Sequence, residues 1–498
     1  MQSTDMNATP HSTGPWLEAA ADALPAHVHL LGAGGAGVSG IGRVLAARGV
    51  RVSGHDHATS EIYERFASSP GVELLLGPSS AAVLPASATI VVRSVAVPTD
   101  DPQVVEAERR GIPVLKYSTA LGRLAAPRQQ LAVAGTHGKT TGSWMLWHTL
   151  EAIDGVLGRP MAGALIGGLD ARLVTNAIGG GRDGWFVLEA CEYDRTFLAL
   201  EPFGAVISNV EEDHLDCYGD LAGLHAGFAR FAGRVANDGL LVVGKDVPPA
   251  VEHAAGATVW RAGRDFDVEL LGEEQGAFRF RLLGPGWATH EIPLGVVGHM
   301  NVDNAALAAA LAIGVASKRS GVAPSELVAA AGDGLARFHG VSRRFERWGS
   351  VAGIHVVHDY AHHPTEVRAT LDAARRAYRD RQLHVLFQPH QHSRTARFLE
   401  EFAESLRAAD RIVVSDVYGA RKHIDGERFA GAPELVTALR VRGAVAEHGG
   451  GLVAASAELL RGLPKKALVL VIGAGDVEQL RVPLLADLEL LRSSSSRT

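Results

Sequence analysis

Short apolar runs rich in β-branched residues recur along the chain between longer helical stretches: His27 to Gly32, Leu131 to Gly135, Phe186 to Glu189, Ala205 to Asn209, His355 to His358, His384 to Gln388, Arg411 to Ser415 and Ala467 to Gly473. Runs of this length that are apolar on both faces predict buried strands. Their alternation with helices predicts an α/β fold built on mostly parallel sheets. No period of about 20 to 50 residues is present, which sets aside solenoids and propellers. A proline-bearing polar segment at Ala125 to Gln130 and a glycine after Phe338 mark two breaks. The second follows an Ala-rich stretch from Asn304 to Ala336, expected to be one long helix. The breaks divide the chain into a flexible tail over 1–26 and three domains over 27–126, 127–339 and 340–498, with a disordered serine run at Ser493 to Thr498.

Length supports that division, since 498 residues at roughly 150 per domain gives three units. At 47% hydrophobic and 21% charged residues, with no run of about 18 apolar residues, the composition is that of a soluble protein without a membrane span. The N-terminus has neither a basic start nor an apolar stretch and does not read as a signal peptide. Two cysteines, Cys191 and Cys217, give no disulfide framework and fit a reducing compartment, hence the cytoplasm. A net charge of −7 leaves no basic footprint for nucleic acid. Monomer and homodimer both remain open.

The chemistry gathers behind the predicted strands. Gly135-Thr136-His137-Gly138-Lys139-Thr140-Thr141 follows an apolar strand and enters a helix expected to begin near Gly142. Backbone N–H groups of such a turn converge on phosphate, Lys139 adds positive charge, and the Thr140 hydroxyl can ligate Mg²⁺. Val133 stands where a strict phosphate loop has its first glycine, so the spacing is a variant. A second glycine cluster, Gly32 to Gly40, follows the first strand, with Asp56 at the end of the next. It suits a pyrophosphate on Gly34, Gly35, Ala36, Gly37 and Ser39 with Asp56 at a ribose, and does not by itself distinguish a dinucleotide from a UDP-sugar.

Acidic and histidine clusters follow two further strands, at Glu189 to Asp194 and Asn209 to His214. Glu189 and His214 are candidates to reach Mg²⁺ beside ATP phosphates. Glu192, Asp194, Glu211 and Glu212 read equally well as solvated loop charges. The histidines of His358 to His363 and His390 to His392 invite a zinc site, but no cysteine joins them and no metalloenzyme spacing is present.

In this order and at these separations, the motifs resemble the Mur ligase family over roughly Val28 to Asp476, with Asn176, Asn301 to Ala306, Gly340 to Phe345, Asp359 to Val367, Phe387 to Thr395 and Gly473 to Asp476 adding to the match. The resemblance implies a Rossmann-like UDP-sugar domain, a central P-loop-like ATPase domain and a Rossmann-like C-terminal domain that brings the amino acid. It implies ATP-dependent ligation, through an acyl phosphate, of an amino acid to UDP-N-acetylmuramate in cell wall synthesis. L-alanine is the expected amino acid, and ATP and Mg²⁺ are the expected cofactors. Lys139, Glu189 and His214 would be catalytic, with Thr140, Glu189 and His214 holding the metal. Gly135 to Thr141, Asn301, Asn304, Arg344 and Asp359 would bind ATP. Ser94 and Asn176 would join the first glycine loop around the UDP-sugar, and Tyr360, His362, His390 and Arg394 would surround the amino acid.

Five departures stand out from the family pattern. Met300 replaces a histidine, His358 replaces an aspartate, and Gly419-Ala420-Arg421 replaces Ala-Gly-Glu. Gln391 replaces an arginine beside the amino acid, and Phe228 replaces the lysine that later-acting members carbamylate. Three alternatives are weighed: a recycling ligase that adds a tripeptide to the same sugar, a dinucleotide-dependent oxidoreductase, and a non-catalytic UDP-sugar-binding protein. The oxidoreductase leaves Gly135 to Thr141 unexplained. The binding protein leaves Lys139, Thr140, Glu189 and His214 without a role.

Overall fold

The computed structural model describes residues 24–181, 183–419 and 429–495. The expected tail lies, up to residue 23, outside the described residues, as do Ala420 and Arg421. All eight apolar runs form strands, each within two residues of the expected limits. Five parallel strands in the spatial order Val72–Leu76, Arg51–Asp56, His27–Leu31, Ile90–Arg93, Val114–Lys116 make the first sheet. Gln129–Ala134 lies at the middle of a seven-stranded second sheet, between Gly204–Ile207 and Trp185–Glu189. Only its edge strand Ala177–Ile178 is antiparallel. Four strands between Asp267 and Val297 form a smaller sheet that the period-2 signal did not reveal.

A six-stranded sheet follows in the order Glu346–Val351, Ile354–Asp359, Ala467–Ile472, Gln382–Phe387, Arg411–Ser415, Ala446–Gly450, antiparallel only at its first strand. The chain packs as two compact units. One holds the described residues up to Leu271 with 280–293 and 301–339; the other holds 272–279, 294–300 and the described residues from Gly340 onward. The first two sheets therefore share one unit, and a single apolar core runs through Leu30, Ile41, Leu121, Leu165, Phe197 and Phe228. Helix Tyr117–Ala125 approaches so closely that a Cβ on Gly122 would lie 2.8 Å from the Ala199 carbonyl.

Three local expectations change. The phosphate-loop helix runs Lys139–Leu157, three residues earlier than expected, because Gly138 in the left-handed region (φ 81°) ends the turn immediately before Lys139. The Ala-rich stretch is two helices, His299–Ser320 and Pro324–Ala336. The break falls where Gly321 takes φ 74° and Pro324 opens the next helix, a position that tolerates its missing N–H. The final helix extends over Arg481–Ser495 and so carries the start of the serine run. His299–Ser320 has a length and apolarity that could cross a membrane, yet 72% of its most apolar window is buried, as in a core helix.

Candidate functional site

Parallel register explains why three separate motifs meet. Val133 pairs with Glu189, and Ala134 pairs with Ile207, so the chain leaves all three central strands at one edge of the sheet. Gly135–Gly138, Ala190–Glu192 and Ser208–Glu211 emerge side by side there. The loop is then laced to its neighbour. Thr136 Oγ1 donates to the Glu211 carbonyl (3.1 Å) and accepts the Glu211 N–H (2.9 Å), while Asn209 accepts the His137 N–H at 2.8 Å. Ser208 Oγ donates to the His137 carbonyl (2.8 Å). A Cβ at Gly138 would lie 2.3 Å from Asn304 Oδ1, so only glycine fits between this turn and the asparagine. Asn304 Nδ2 in turn reaches Asn301 Oδ1 at 3.4 Å, which places both expected nucleotide asparagines by the loop.

Lys139 is the first residue of its helix. Its ammonium donates to the carbonyls of Gly135 (2.7 Å) and Thr136 (2.9 Å) and to Glu192 (3.0 Å to Oε1, 2.9 Å to Oε2). Burial acts to lower its pKa, but the charge and hydrogen bond of Glu192, with the Glu189 charge, outweigh this and raise it above the usual lysine value. Glu192 is 1% exposed, so it is not the solvated loop charge that its sequence setting allowed. Its backbone carbonyl accepts the Tyr218 hydroxyl at 2.7 Å. His214, in the left-handed region at φ 53°, brings Nε2 to 3.7 Å from both Glu192 and Asp213. Thr140 and Thr141 are half-buried in the first helical turn.

Glu189 is held from the other side, its Oε2 accepting the Gly167 N–H at 2.7 Å. The phosphate-loop helix itself fixes that segment. Trp144 Nε1 donates to the Gly168 carbonyl (2.8 Å), Trp147 Nε1 to that of Ala162 (2.9 Å), and His148 meets Asp170 at 2.8 Å. Glu189, His214 and Thr140 offer oxygen and imidazole donors of the kind a divalent cation takes, and one carboxylate oxygen of Glu189 is left beyond its bond to Gly167, so the residues fit Mg²⁺.

At the first sheet, the glycine turn leads into helix Ala36–Ala46 with Gly35 as its N-cap. A Cβ on Gly37 would fall 2.6 Å from the Tyr117 ring, a neighbour that sequence spacing did not disclose. Asp56, expected at a ribose, accepts the N–H groups of Gly34 (2.8 Å), His57 (2.7 Å) and Ala58 (3.4 Å), which makes it a brace for the loop. Ser39 Oγ donates to the Ala36 carbonyl, and the fully buried Asn176 amide donates to that carbonyl (2.7 Å) and to Ser39 Oγ (3.2 Å). Ser94 sits against Gly32, where a Cβ would lie 2.8 Å from that of Ser94. These side chains shape the turn, whose own N–H groups are taken up within the protein: Gly34 by Asp56, Gly35 by the Gly32 carbonyl, and Gly32 and Ala33 by the His55 carbonyl.

The second unit gathers its motifs separately. Asp359 ends its strand and accepts the N–H groups of Phe345 and Ala361, each at 2.8 Å. Burial pushes its pKa up to about 6, opposed by Arg344 and the two N–H bonds. Arg344 lies 3.5 Å from Glu366 and 5.2 Å from the Tyr360 ring centre, and Arg343 lies over the same ring at 4.3 Å. His362 and His390 have ring centres 5.9 Å apart, and His390 stacks on Tyr418 at 5.7 Å. Arg394, 8% exposed, donates to His390 Nδ1 at 3.3 Å. Gln391 has φ 67° and ψ 132°, a strained backbone fixed by the Tyr418 carbonyl and by Thr395. His358 is fully buried against Trp348, and burial lowers its pKa to about 3, so the histidine in the aspartate's place is a neutral packing residue. Phe228 packs edge-on to Phe197 at 5.3 Å in the core.

Sequence comparisons agree with this geometry. Residues 27–129 match the Mur ligase family catalytic domain, 133–312 the Mur ligase middle domain and 343–475 the Mur ligase glutamate ligase domain. A UDP-N-acetylmuramate–L-alanine ligase from Kineococcus radiotolerans is 41% identical over 93% of this chain and 97% of its own length. One of the same name from Saccharopolyspora erythraea is 40% identical over 96% of each chain. Among solved structures, a UDP-N-acetylmuramate-alanine ligase from Thermotoga maritima superposes with a TM-score of 0.75 at 24% identity, over 94% of this chain and 99% of that one. A murein peptide ligase from Psychrobacter arcticus gives 0.68 at 22% identity, over 93% and 98%. These two establish the shared fold. With its three domain matches and full-length relatives at about two-fifths identity, the chain belongs to the Mur ligase family of ATP-dependent ligases.

Proposed function

We propose that this protein joins L-alanine to UDP-N-acetylmuramate with hydrolysis of ATP to ADP and phosphate, in the cytoplasm, without a membrane or nucleic-acid partner. The observation that carries the reading is the convergence of Gly135–Thr141, Glu189, Asn209 and His214 at one sheet edge, in a chain whose full-length relatives bear that name. The first glycine turn, braced by Asp56, Ser39 and Asn176, would present the N-terminal turn of helix Ala36–Ala46 to the UDP-sugar pyrophosphate. We place the domain boundaries near residues 126 and 339.

The sugar acid's carboxylate oxygen attacks the γ-phosphorus of ATP, the bond to ADP breaks, and an acyl phosphate results. The amino group of L-alanine then attacks the acyl carbon, and inorganic phosphate leaves. Lys139 and the N–H groups of the loop would stabilise charge on the transferring phosphoryl group, and Asn304 against Gly138 would keep the loop in register with the base end of the nucleotide. Held by Thr140, Glu189 and His214, Mg²⁺ would neutralise phosphate charge. Arg344 and Asp359 would bind the nucleotide, while Arg394 would take the amino acid's carboxylate, with Tyr360, His362 and His390 around its side chain.

Phosphate release measured with ATP, UDP-N-acetylmuramate and a panel comprising L-alanine, glycine, L-serine and the tripeptide tests the reading. L-alanine gives the highest kcat/KM and the rate is independent of added bicarbonate, because buried Phe228 offers no amine to carbamylate. Turnover with the tripeptide alone would assign the recycling reaction instead.

A further inference from the structure

An ammonium has three N–H donors, and all three of Lys139 have protein partners: two loop carbonyls and the Glu192 carboxylate. The carbonyls belong to the loop itself and move with it. Glu192 comes from a different strand end and is the only one of the three that carries a charge. A phosphate oxygen reaching for Lys139 must therefore share the ammonium with Glu192 or displace it. Either way, a carboxylate that is 1% exposed is left beside polyphosphate charge, with a weaker claim on Lys139. Stripping the partner from a buried carboxylate is strongly unfavourable unless another cation takes over. His214 Nε2 lies 3.7 Å from Glu192 Oε1, so a cation held at His214 would also stand near the Glu192 carboxylate.

We propose that Glu192 is a positioning residue that shares Lys139 with the nucleotide phosphates and thereby makes nucleotide binding depend on a divalent cation. The inference rests on the phosphate-loop reading above. Its physical content is a charge exchange. Glu192 keeps Lys139 folded back on its loop, repels an uncompensated polyphosphate, and tolerates the phosphate once Mg²⁺ supplies positive charge at Glu189 and His214. A purely structural Glu192 would add stability and leave this cation dependence untouched.

Isothermal titration of ADP into the full-length protein, once in EDTA and once in Mg²⁺, separates these roles without relying on turnover. In EDTA, Glu192→Gln binds ADP about tenfold or more tightly than the wild type, because the neutral amide keeps the shape and removes the repulsion. In Mg²⁺ the two differ by less than about threefold. Equal or weaker binding by Glu192→Gln in EDTA, with an unchanged melting temperature, overturns the proposal. Should Glu192→Gln fail to fold, Glu192→Asp decides: its shorter arm withdraws the charge from Lys139 and gives a smaller gain in EDTA, and a folded Glu192→Asp without gain overturns the proposal equally. Lys139→Ala weakens ADP under both conditions. If it does not, the assignment of the loop fails, whatever Glu192 does.

Discussion

The carboxylates Glu192 and Asp359 both stand at or just beyond the C-terminal ends of parallel strands, and both are buried, yet their surroundings treat charge in opposite ways. Glu192 faces an ammonium at 2.9 Å, and the pair holds Lys139 in its charged form. Asp359 is anchored by two backbone N–H groups, with Arg344 as a nearby charge, and its carboxyl is pushed up to about 6. A carboxylate at hydrogen-bond distance keeps the buried lysine charged, whereas at Asp359 two amide N–H groups and the Arg344 charge only partly offset desolvation. The first arrangement suits a site that must keep a positive charge ready for phosphate. The second suits a brace whose carboxylate organises the turn that carries Arg344.

Removing the charge from the first region should have the largest effect. Lys139→Ala is expected to lower ligase turnover by 10²-fold or more, as for other groups that stabilise transition-state charge, while circular dichroism stays unchanged. Retention of more than about a tenth of wild-type turnover breaks the contrast, since Lys139 would then be only a partner for Glu192.

A smaller effect belongs to Asp359. Its folded pKa, about 6, lies above the ordinary aspartate value of about 3.9, so the group favours folding while protonated. That contribution is complete below about pH 4 and is lost as pH rises through about 6. Asp359→Asn is therefore expected to flatten the stability profile between those limits, read from urea midpoints at fixed pH. Arg344→Ala removes an opposing charge and should move the Asp359 titration, followed by carboxyl NMR, further upward. An unmoved midpoint would show that burial and the two backbone N–H groups set it without Arg344.

The smallest expected effect lies at Gln391. Arg394 supplies the charged contact to the amino acid carboxylate, and Gln391 offers only neutral hydrogen bonds, which are roughly half as strong. Gln391→Arg should lower the KM for L-alanine, glycine and L-serine several-fold with little change in kcat. If KM is unaltered for all three, Gln391 has no part in carboxylate binding and its strained backbone serves only the turn with Tyr418 and Thr395.

Read one residue after another, this chain already reveals the central strands of its parallel sheets, its two glycine turns and its family, because buried parallel strands leave continuous apolar runs and phosphate loops need glycine at set positions. Lys139, Glu189, His214 and Arg394 were legible for the same reason, each lying in a short motif at a strand end. Contacts between motifs were not. Glu192 looked like a surface charge until strand register placed it against Lys139, and Gly167 gave no hint that it holds Glu189. Asp56 had the spacing of a ribose ligand and Asn176 was implied by the family resemblance, but the hydrogen bonds of both go to the turn itself. The division of the Ala-rich stretch at Gly321 to Pro324 needed two local breakers to outweigh a long apolar pattern. Local sequence determines which residues can carry charge or bind phosphate. Which of them are paired, buried and shifted in pKa depends on neighbours tens of residues away, brought within 3 Å by the register of the sheets.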